Sequence, residues 1–539
     1  MTVLTVRHTP FTDQRPGTSG LRKTTRTFQQ PHYLPSFVQA IFDVITPDGP
    51  IVLGGDGRFF CAEAAQIIIG LAAANGCPGV IVGQGGLLST PAASHLIRQR
   101  KAILGIILSA SHNPGGPDGD FGVKFNTANG APEALTDAVF ARTRESGEYR
   151  TVSAPPVDLS APGEHDIAGM IVEVVDPTRD YADLMERLFD FDRIAYFMET
   201  PGFSMKFDAM HAVTGPYAEE IFERRLRGAN VVMRREPLPD FGGGHPDPTL
   251  SNAEALAQLM YGPAPPLFGA ASDGDGDRHL VLGPSFPVNP SDSLAIMLAH
   301  SELIPGYAGR VAGVARSMPT TRAVDAVAAA LGVPCFETPT GWKYFGALLD
   351  AGKITLCGEE SAGAGSDHVR EKDGVWAILY WLNMMAATGL SVQQIVTSHW
   401  TRFGRHAALR LDLDLPTEKT TDLTQRMDAA LAHLGSASEL GFESWDEFSY
   451  ADPVTGEMSG GHGLRIHCLG GGRIVLRLSG TGTTGATLRV YFDKGIAAPE
   501  LHKASASALT GPLQEAARRL LSKVDSDLVV SAWSTAHRT

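Results

Sequence analysis

The chain has 539 residues, room for three or four domains at roughly 150 residues each. A formal net charge of −14 argues against a general binder of nucleic acid or anionic membrane, which wants a basic face; 43% hydrophobic and 19% charged residues argue against disorder. Five scattered cysteines without a CxxC pair leave no disulfide framework or zinc ribbon, so a cytoplasmic protein outside the membrane is the expectation.

Taken in chain order, the periodicity alternates. Pro50–Gly54 reads as a short buried strand and Phe59–Asn75 as a helix closed by Asn75-Gly76. A strand at 79–82, a helix at 91–101 and an apolar strand at 102–108 follow. The apolar runs, 102–108 among them, are too short to cross a bilayer. Arg7 and His8 precede no apolar stretch of the kind a secretory signal needs. Residues 151–168, rich in Pro, Ser and Ala, read as a surface loop. The rhythm returns with strands at 205–210, 230–233 and 267–271 and helices at 217–226 and 253–260. It returns again with helices at 292–300, 322–331, 342–351 and 374–387 and strands at 311–315 and 354–356. Such alternation predicts largely parallel sheets covered on both faces. After about residue 403 short strands and glycine-rich turns surround helices at 418–434 and 511–523, which predicts a separate α+β domain.

Five irregular segments carry the chemistry, most of them just after a predicted strand, where α/β proteins build sites. Ser109-Ala-Ser111-His112-Asn-Pro-Gly-Gly places a hydroxyl in a turn that can expose it as a nucleophile. Neighbouring residues seldom face each other, so a simple Ser-His triad does not follow from it. Asp273-Gly-Asp275-Gly-Asp277 alternates carboxylates with glycines, so the backbone can curl and bring three oxygens onto one cation. Arg278 and Pro284 stand where a calcium loop needs Gly and Glu, and the charge set suits Mg²⁺. Gly358-Glu359-Glu360-Ser361 offers carboxylates and a hydroxyl to sugar hydroxyls, with Arg370-Glu-Lys372-Asp-Gly374 opening the next helix. Arg477-Leu-Ser479-Gly480-Thr481-Gly-Thr-Thr-Gly485 followed by Arg489 makes a phosphate cradle. It matches GxGxxG, but 486–492 reads as a strand and a dinucleotide fingerprint must open a helix. Arg15 to Lys23 adds a basic, hydroxyl-rich arm suited to an anion. Together they point to phosphoryl chemistry on a polar substrate.

The ordered set GTSGLR, SASHNPGG, GDFGVKFN, SDGDGDR, TGWKYFG, CGEESAGAGSDHVREKDG and RLSGTGTTGATLR resembles the α-D-phosphohexomutase superfamily, from Arg15 to Arg489, and within it the phosphoglucomutase branch. The resemblance implies four domains around a central cleft: three similar mixed α/β domains, 1–185, 186–290 and 291–402, and a C-terminal α+β domain, 403–539. It implies a phosphorylated Ser111, with Mg²⁺ held by Asp273, Asp275 and Asp277 and completed by the Ser111 phosphate. It makes His112, Lys124, Arg278 and Lys372 catalytic, with Lys124 and Lys372 as acid–base candidates. Substrate would be bound by Thr18, Ser19, Arg22, Thr340, Gly341, Trp342, Lys343, Glu359, Ser361, Arg477, Ser479, Gly480, Thr481 and Arg489. The expected reaction interconverts glucose 1-phosphate and glucose 6-phosphate through glucose 1,6-bisphosphate, with closure of the fourth domain over the cleft. Mannose or glucosamine phosphates are the alternative substrates, and a silent phosphosugar-binding relative is the alternative class. A monomer is expected, with a dimer also compatible. The stretch Ala362-Gly-Ala-Gly365, without a bulky residue, departs from the pattern and bears on local packing. Residues 494–539 carry no motif and read as domain completion.

Overall fold

The computed structural model describes residues 2–17, 20–415, 423–432, 441–480, 486–524, 533 and 537–538. Four principal sheets follow one another along the chain, three mixed and the fourth antiparallel.

The first three sheets share a four-strand unit. Three strands run parallel, and a fourth turns back antiparallel to the third. In the first sheet the unit is Gly79–Leu87, Ile51–Gly55, Leu104–Leu108 and Asp120–Asn126. In the second it is Val232–Met233, Met205–Asp208, Phe268–Ser272 and His279–Gly283. In the third it is Cys335–Thr338, Val314–Ser317, Leu356–Glu359 and Gly363–Ser366. Most of these strands are buried throughout, as expected of sheets covered on both faces. Ile51, Leu53, Ile106 and Leu108 enter one core while Val52 and Ile107 enter another, the period-two alternation of a pleated strand.

Helix starts are fixed by local chemistry. The Ser89 side chain caps Thr90–Gln99, whose second residue is proline. Asn289 does the same for Pro290–Ala299, and Asp373 for the buried helix Gly374–Thr388. No single helix among the described residues is long and apolar enough to cross a membrane.

Three local expectations change. The supposed loop 151–168 contains the strand Gly163–Ile167, whose outward residues are polar because it is an edge strand. The expected helix 217–226 starts at Thr214 and widens after Ala218 into a π-helix, Glu219–Arg225. A helix also forms at Tyr33–Val44. Its N-cap, His32, lies at φ 71° and makes no side-chain cap, so the sequence carries no start signal there. Of the helix expected at 418–434, the described part is Leu423–Ala432.

The fourth sheet packs one face on Leu423–Ala432 and Ala506–Val524, through Leu411, Leu413, Leu476, Leu488, Val490 and Leu520. Its other face carries charge. Arg477 pairs directly with Arg489 across Gly472–Gly480 and Ala486–Ile496. Gly480 ends one strand and Ala486 opens the next, so a strand, not a helix, follows the glycine-rich motif.

Candidate active site

In each four-strand unit the connection between the third and fourth strands carries a predicted motif. These connections are 109–119, 273–278 and 360–362. The repeated topology thus delivers the hydroxyl, the carboxylates and the Glu/Ser loop to strand ends.

Ser111 is 1% exposed and lies at φ 54°, in the left-handed region. Its amide donates to Ser109 Oγ at 2.7 Å, and its carbonyl accepts from Arg58 Nη2 at 2.7 Å. Arg58 is locked in turn by Asp56 at 2.9 Å, both side chains fully buried, and by the Phe241 ring 5.2 Å away. Asp56 also accepts from Ser109 Oγ at 2.6 Å. Asp56 and Arg58, absent from the sequence reading, fix the serine backbone. Their signal was present: Gly54-Gly-Asp-Gly-Arg58 is another Gly/Asp run at a strand end. The positive φ also brings the adjacent side chains together, with Ser111 Oγ and His112 Nδ1 3.4 Å apart, so neighbours do face each other here.

Ser111 Oγ donates to Asp273 Oδ2 at 3.1 Å. One oxygen each of Asp273, Asp275 and Asp277 lies within 4.8 Å of the others, and all three residues are buried. Asp273 Oδ1 accepts from the amides of Asp277 and Arg278, which curls the loop as the glycines allow. Asp275 Oδ1 and Asp277 Oδ1 are buried with no hydrogen-bond partner among the described residues. Unpaired buried carboxylate oxygens this close fit a cation, so this group could hold a metal ion.

Cations surround the carboxylates. Lys124 Nζ reaches Asp275 Oδ2 at 2.5 Å and Asp277 Oδ2 at 3.5 Å; Lys372 Nζ reaches Asp277 Oδ2 at 3.4 Å. Arg278 contacts Asp247 at 3.4 Å. Burial pushes Asp273 well above the carboxylate range, reinforced by Asp277 and Asp275. Burial pushes Asp275 the same way, but Lys124 and the Thr90 hydroxyl outweigh it and hold Asp275 low. Lys124 pays the same desolvation, and its two carboxylate partners reverse it, leaving the ammonium firmly charged. Burial, then Arg278 and Arg22, drive His112 well below its ordinary value, so its imidazole is neutral at pH 7. Arg22 makes no ion pair among the described residues, and burial lowers it. The segment His245-Pro-Asp247 was also missed: Pro246 carbonyl accepts from Gly274 at 3.0 Å and Asp247 holds Arg278. It lies about 30 residues before the loop it braces, so spacing gives no signal.

The sugar-loop residues divide. Glu359 Oε1 accepts from the Gly341 amide at 2.9 Å, joining the two predicted loops. Burial raises Glu359, with Lys372 opposing. Glu360 turns away to Ser317 Oγ at 2.9 Å. Thr340 Oγ1 and Trp342 Nε1 are buried without partners among the described residues. The Trp342 ring fills the place a Cβ at Gly365 would need, 2.8 Å from it, so the small residues of 362–365 make room for this indole. Lys343 is committed to Glu133 at 2.8 Å. Ser361 is half-buried in the turn.

Arg477 and Arg489 form a second group. Facing like charges cost stability unless an anion joins them. Arg477 Nη1 donates to Tyr491 Oη at 3.3 Å, Arg489 lies 3.9 Å from Asp412, and Ser479 is half-buried nearby on the strand. Among the described residues no hydrogen bond or ion pair joins this group to the Ser111 cluster. Gly480 ends its strand. Thr18, Ser19 and Thr481 lie outside the described residues.

Comparison with known proteins agrees with this layout. Residues 13–150, 179–285 and 290–403 match phosphoglucomutase/phosphomannomutase alpha/beta/alpha domains I, II and III, and 405–526 match the phosphoglucomutase-1 C-terminal domain. The chain is 51% identical over 500 residues to the phosphoglucomutase of Rhizobium radiobacter, covering 91% of this chain and 92% of that one. It is 45% identical over 532 residues to the cytoplasmic phosphoglucomutase of Populus tremula, covering 91% of each. The open-form crystal structure of the Paramecium exocytosis-sensitive phosphoprotein pp63/parafusin, a phosphoglucomutase, superposes with a TM-score of 0.90 at 40% identity, covering 97% of both chains. With four matched segments in the same order as the four sheets, the chain belongs to the phosphoglucomutase/phosphomannomutase family.

Proposed function

We propose that this chain is a phosphoglucomutase, an isomerase that interconverts glucose 1-phosphate and glucose 6-phosphate, in the cytoplasm like its Populus namesake. The observation that carries this reading is the contact of Ser111 Oγ with Asp273, 3.1 Å, inside a buried three-carboxylate group ringed by lysine and arginine. Asp273, Asp275, Asp277 and Ser111 would hold Mg²⁺, which when bound draws charge off the phosphoryl group in transfer. Phospho-Ser111 gives its phosphoryl group to the free hydroxyl of glucose 1-phosphate. Bound glucose 1,6-bisphosphate turns over, and Ser111 takes back the other phosphoryl group. Lys124 and Lys372 set their amines against Asp275 and Asp277; Lys124, held firmly charged there, would balance phosphoryl charge, and Lys372 is the acid–base candidate for the hydroxyl proton. The neutral His112 is poised to accept a proton at Nδ1. Arg22 faces the same anion from the first domain.

Both orientations of the sugar need one site for the phosphate that is not reacting. Arg477, Ser479, Gly480 and Arg489 would supply it, and Thr481, Thr18 and Ser19, outside the described residues, are the further phosphate-binding candidates. Glu359, Ser361 and the unpaired Thr340 and Trp342 groups take sugar hydroxyls; Lys343 sets the Thr340–Trp342 loop through Glu133. An intact Ser111 and carboxylate group favour an enzyme over a silent binder.

A coupled assay for glucose 6-phosphate, with Mg²⁺ and a trace of glucose 1,6-bisphosphate, tests this. Turnover in the wild type should fall by several orders of magnitude in Ser111→Ala. Faster turnover of mannose 1-phosphate than of glucose 1-phosphate would reassign the substrate.

A further inference from the structure

Behind Lys372 runs a line of buried polar groups that no step above uses. Trp376 Nε1 donates to Tyr307 Oη at 2.7 Å, and the Tyr307 and Ser366 hydroxyls are 2.6 Å apart. Ser366 Oγ lies 2.6 Å from His368 Nδ1, and His368 Nε2 lies 3.0 Å from Asp373 Oδ2. Asp373 Oδ1 also accepts from Tyr181 Oη at 2.6 Å and from the Trp376 amide at 3.0 Å. The His368 and Asp373 side chains are 1% and 0% exposed.

The line has one consistent direction. Tyr307 already accepts from the indole, so its single proton goes to Ser366. Ser366 Oγ also accepts from the His368 amide at 3.3 Å, so its own proton goes to His368 Nδ1. His368 therefore carries its proton on Nε2 and donates it to Asp373. The opposite direction would leave the buried Tyr307 proton without an acceptor among the described residues. Ser366 is wholly buried and committed on both sides, so this Ser-His-Asp line is no nucleophile set.

Its effect falls on the next residue. The Asp373 amide donates to Ala364 carbonyl at 2.8 Å and the Gly374 amide to Gly276 carbonyl, inside the carboxylate loop, at 3.0 Å. The Lys372 stem crosses Gly363 so closely that a Cβ there would lie 2.3 Å from Lys372 Cδ. Asp373 is thus the pivot that aims Lys372 at Asp277, and His368 sets the pivot. The ring of His368 stacks on Trp376, 5.3 Å away, and touches no reacting group.

We propose that His368 is a positioning residue, which as an Nε2–H relay between Ser366 and Asp373 holds the Lys372 side chain over the carboxylate group. This rests on the mutase reading, with Lys372 in its cleft. The test compares full-length wild type, His368→Phe and His368→Gln for kcat, KM and amide hydrogen exchange over 367–374. A glutamine can accept at Oε1 and donate at Nε2, and a phenylalanine keeps only the stacking. His368→Phe should lower kcat by about 10- to 100-fold with KM for glucose 1-phosphate little changed. It should also speed exchange over 367–374, and His368→Gln should restore both. Should the phenylalanine variant not fold, Ser366→Ala, which removes only the hydroxyl that fixes the tautomer, should shift kcat and exchange in the same sense. Equal kcat in all variants, or a glutamine variant no better than phenylalanine, would overturn the proposal. No glucose phosphate turnover in the wild type would sink the mutase reading instead; the exchange pattern alone would then decide the relay.

Discussion

The joints among the first three sheets differ in kind from the joint to the fourth. One continuous apolar core runs from Val52 and Ile107 through Phe207 and Val281 to Val314, Trp376 and Trp381. The fourth sheet has its own core and meets the third sheet's domain through a small apolar cluster, Met318 and Tyr344 against Phe448, Tyr450, Val475 and Tyr491, and through a set of ions. Arg473 bonds Glu337 at 3.0 Å and Thr320 carbonyl at 2.7 Å, Arg465 bonds Glu337 at 2.5 Å, and Arg322 bonds Asp493 at 3.1 Å. His406 reaches the other oxygen of Asp493 at 2.7 Å. Apolar burial is lost whenever the surfaces separate, whereas ions regain hydration when they part. The carboxylate cluster is therefore built where three sheets share one apolar core, and the facing arginines where ions carry more of the joint.

The sharpest way to break this contrast is on the side of the shared core. Asp273→Asn keeps the oxygen that accepts the Asp277 and Arg278 amides but removes charge from the cluster. Turnover should fall by about a thousandfold or more. Melting in the presence of a chelator should not fall, because burial and like charge already press Asp273 toward its neutral form. Arg58→Met comes next. It strips the fully buried Asp56 of its partner and should cost about 3–5 kcal/mol in urea unfolding. On the side of the fourth sheet, Arg489→Gln should raise KM by roughly 30- to 100-fold if Arg489 makes the proposed charge-assisted phosphate contact. It should leave unfolding unchanged or slightly harder, since it separates two facing arginines.

The smallest effect concerns pH at the fourth joint. Burial raises Asp292 to about 6, with the Trp400 indole opposing. A carboxyl held up in the folded state contributes stability that is present below its unfolded value, about 4, and is lost as pH rises through about 6. Asp292→Asn, which still accepts from Trp400, should match the wild type near pH 4. It should exceed it by about 3 kcal/mol above pH 7. A constant difference across that range would show that Asp292 does not titrate there.

The sequence made the chemistry legible wherever glycine spaced the functional groups. Asp273, Asp275 and Asp277 stand out because three carboxylates spaced by glycine repel one another unless a cation joins them. The strands at 51–55 and 104–108 were equally plain, being continuous apolar runs between turn signals. The supporting residues were not legible. Asp56, Arg58 and Asp247 act through partners dozens of residues away, and His368 through a line that crosses several elements. Tyr33–Val44 was hidden for a local reason, a missing cap. The pairing of Arg477 with Arg489 needed the register of two strands before the motif could become a site.

Ser111 holds a backbone conformation that suits glycine better than serine. At φ 54° a side chain costs about 1–2 kcal/mol that glycine escapes. Mutational drift at Ser111 therefore has a downhill direction, toward a glycine that relaxes the loop and ends the reaction. The loop carries Ser111 at a standing cost in stability, which the hydrogen bonds of its amide to Ser109 and of its carbonyl to Arg58 offset.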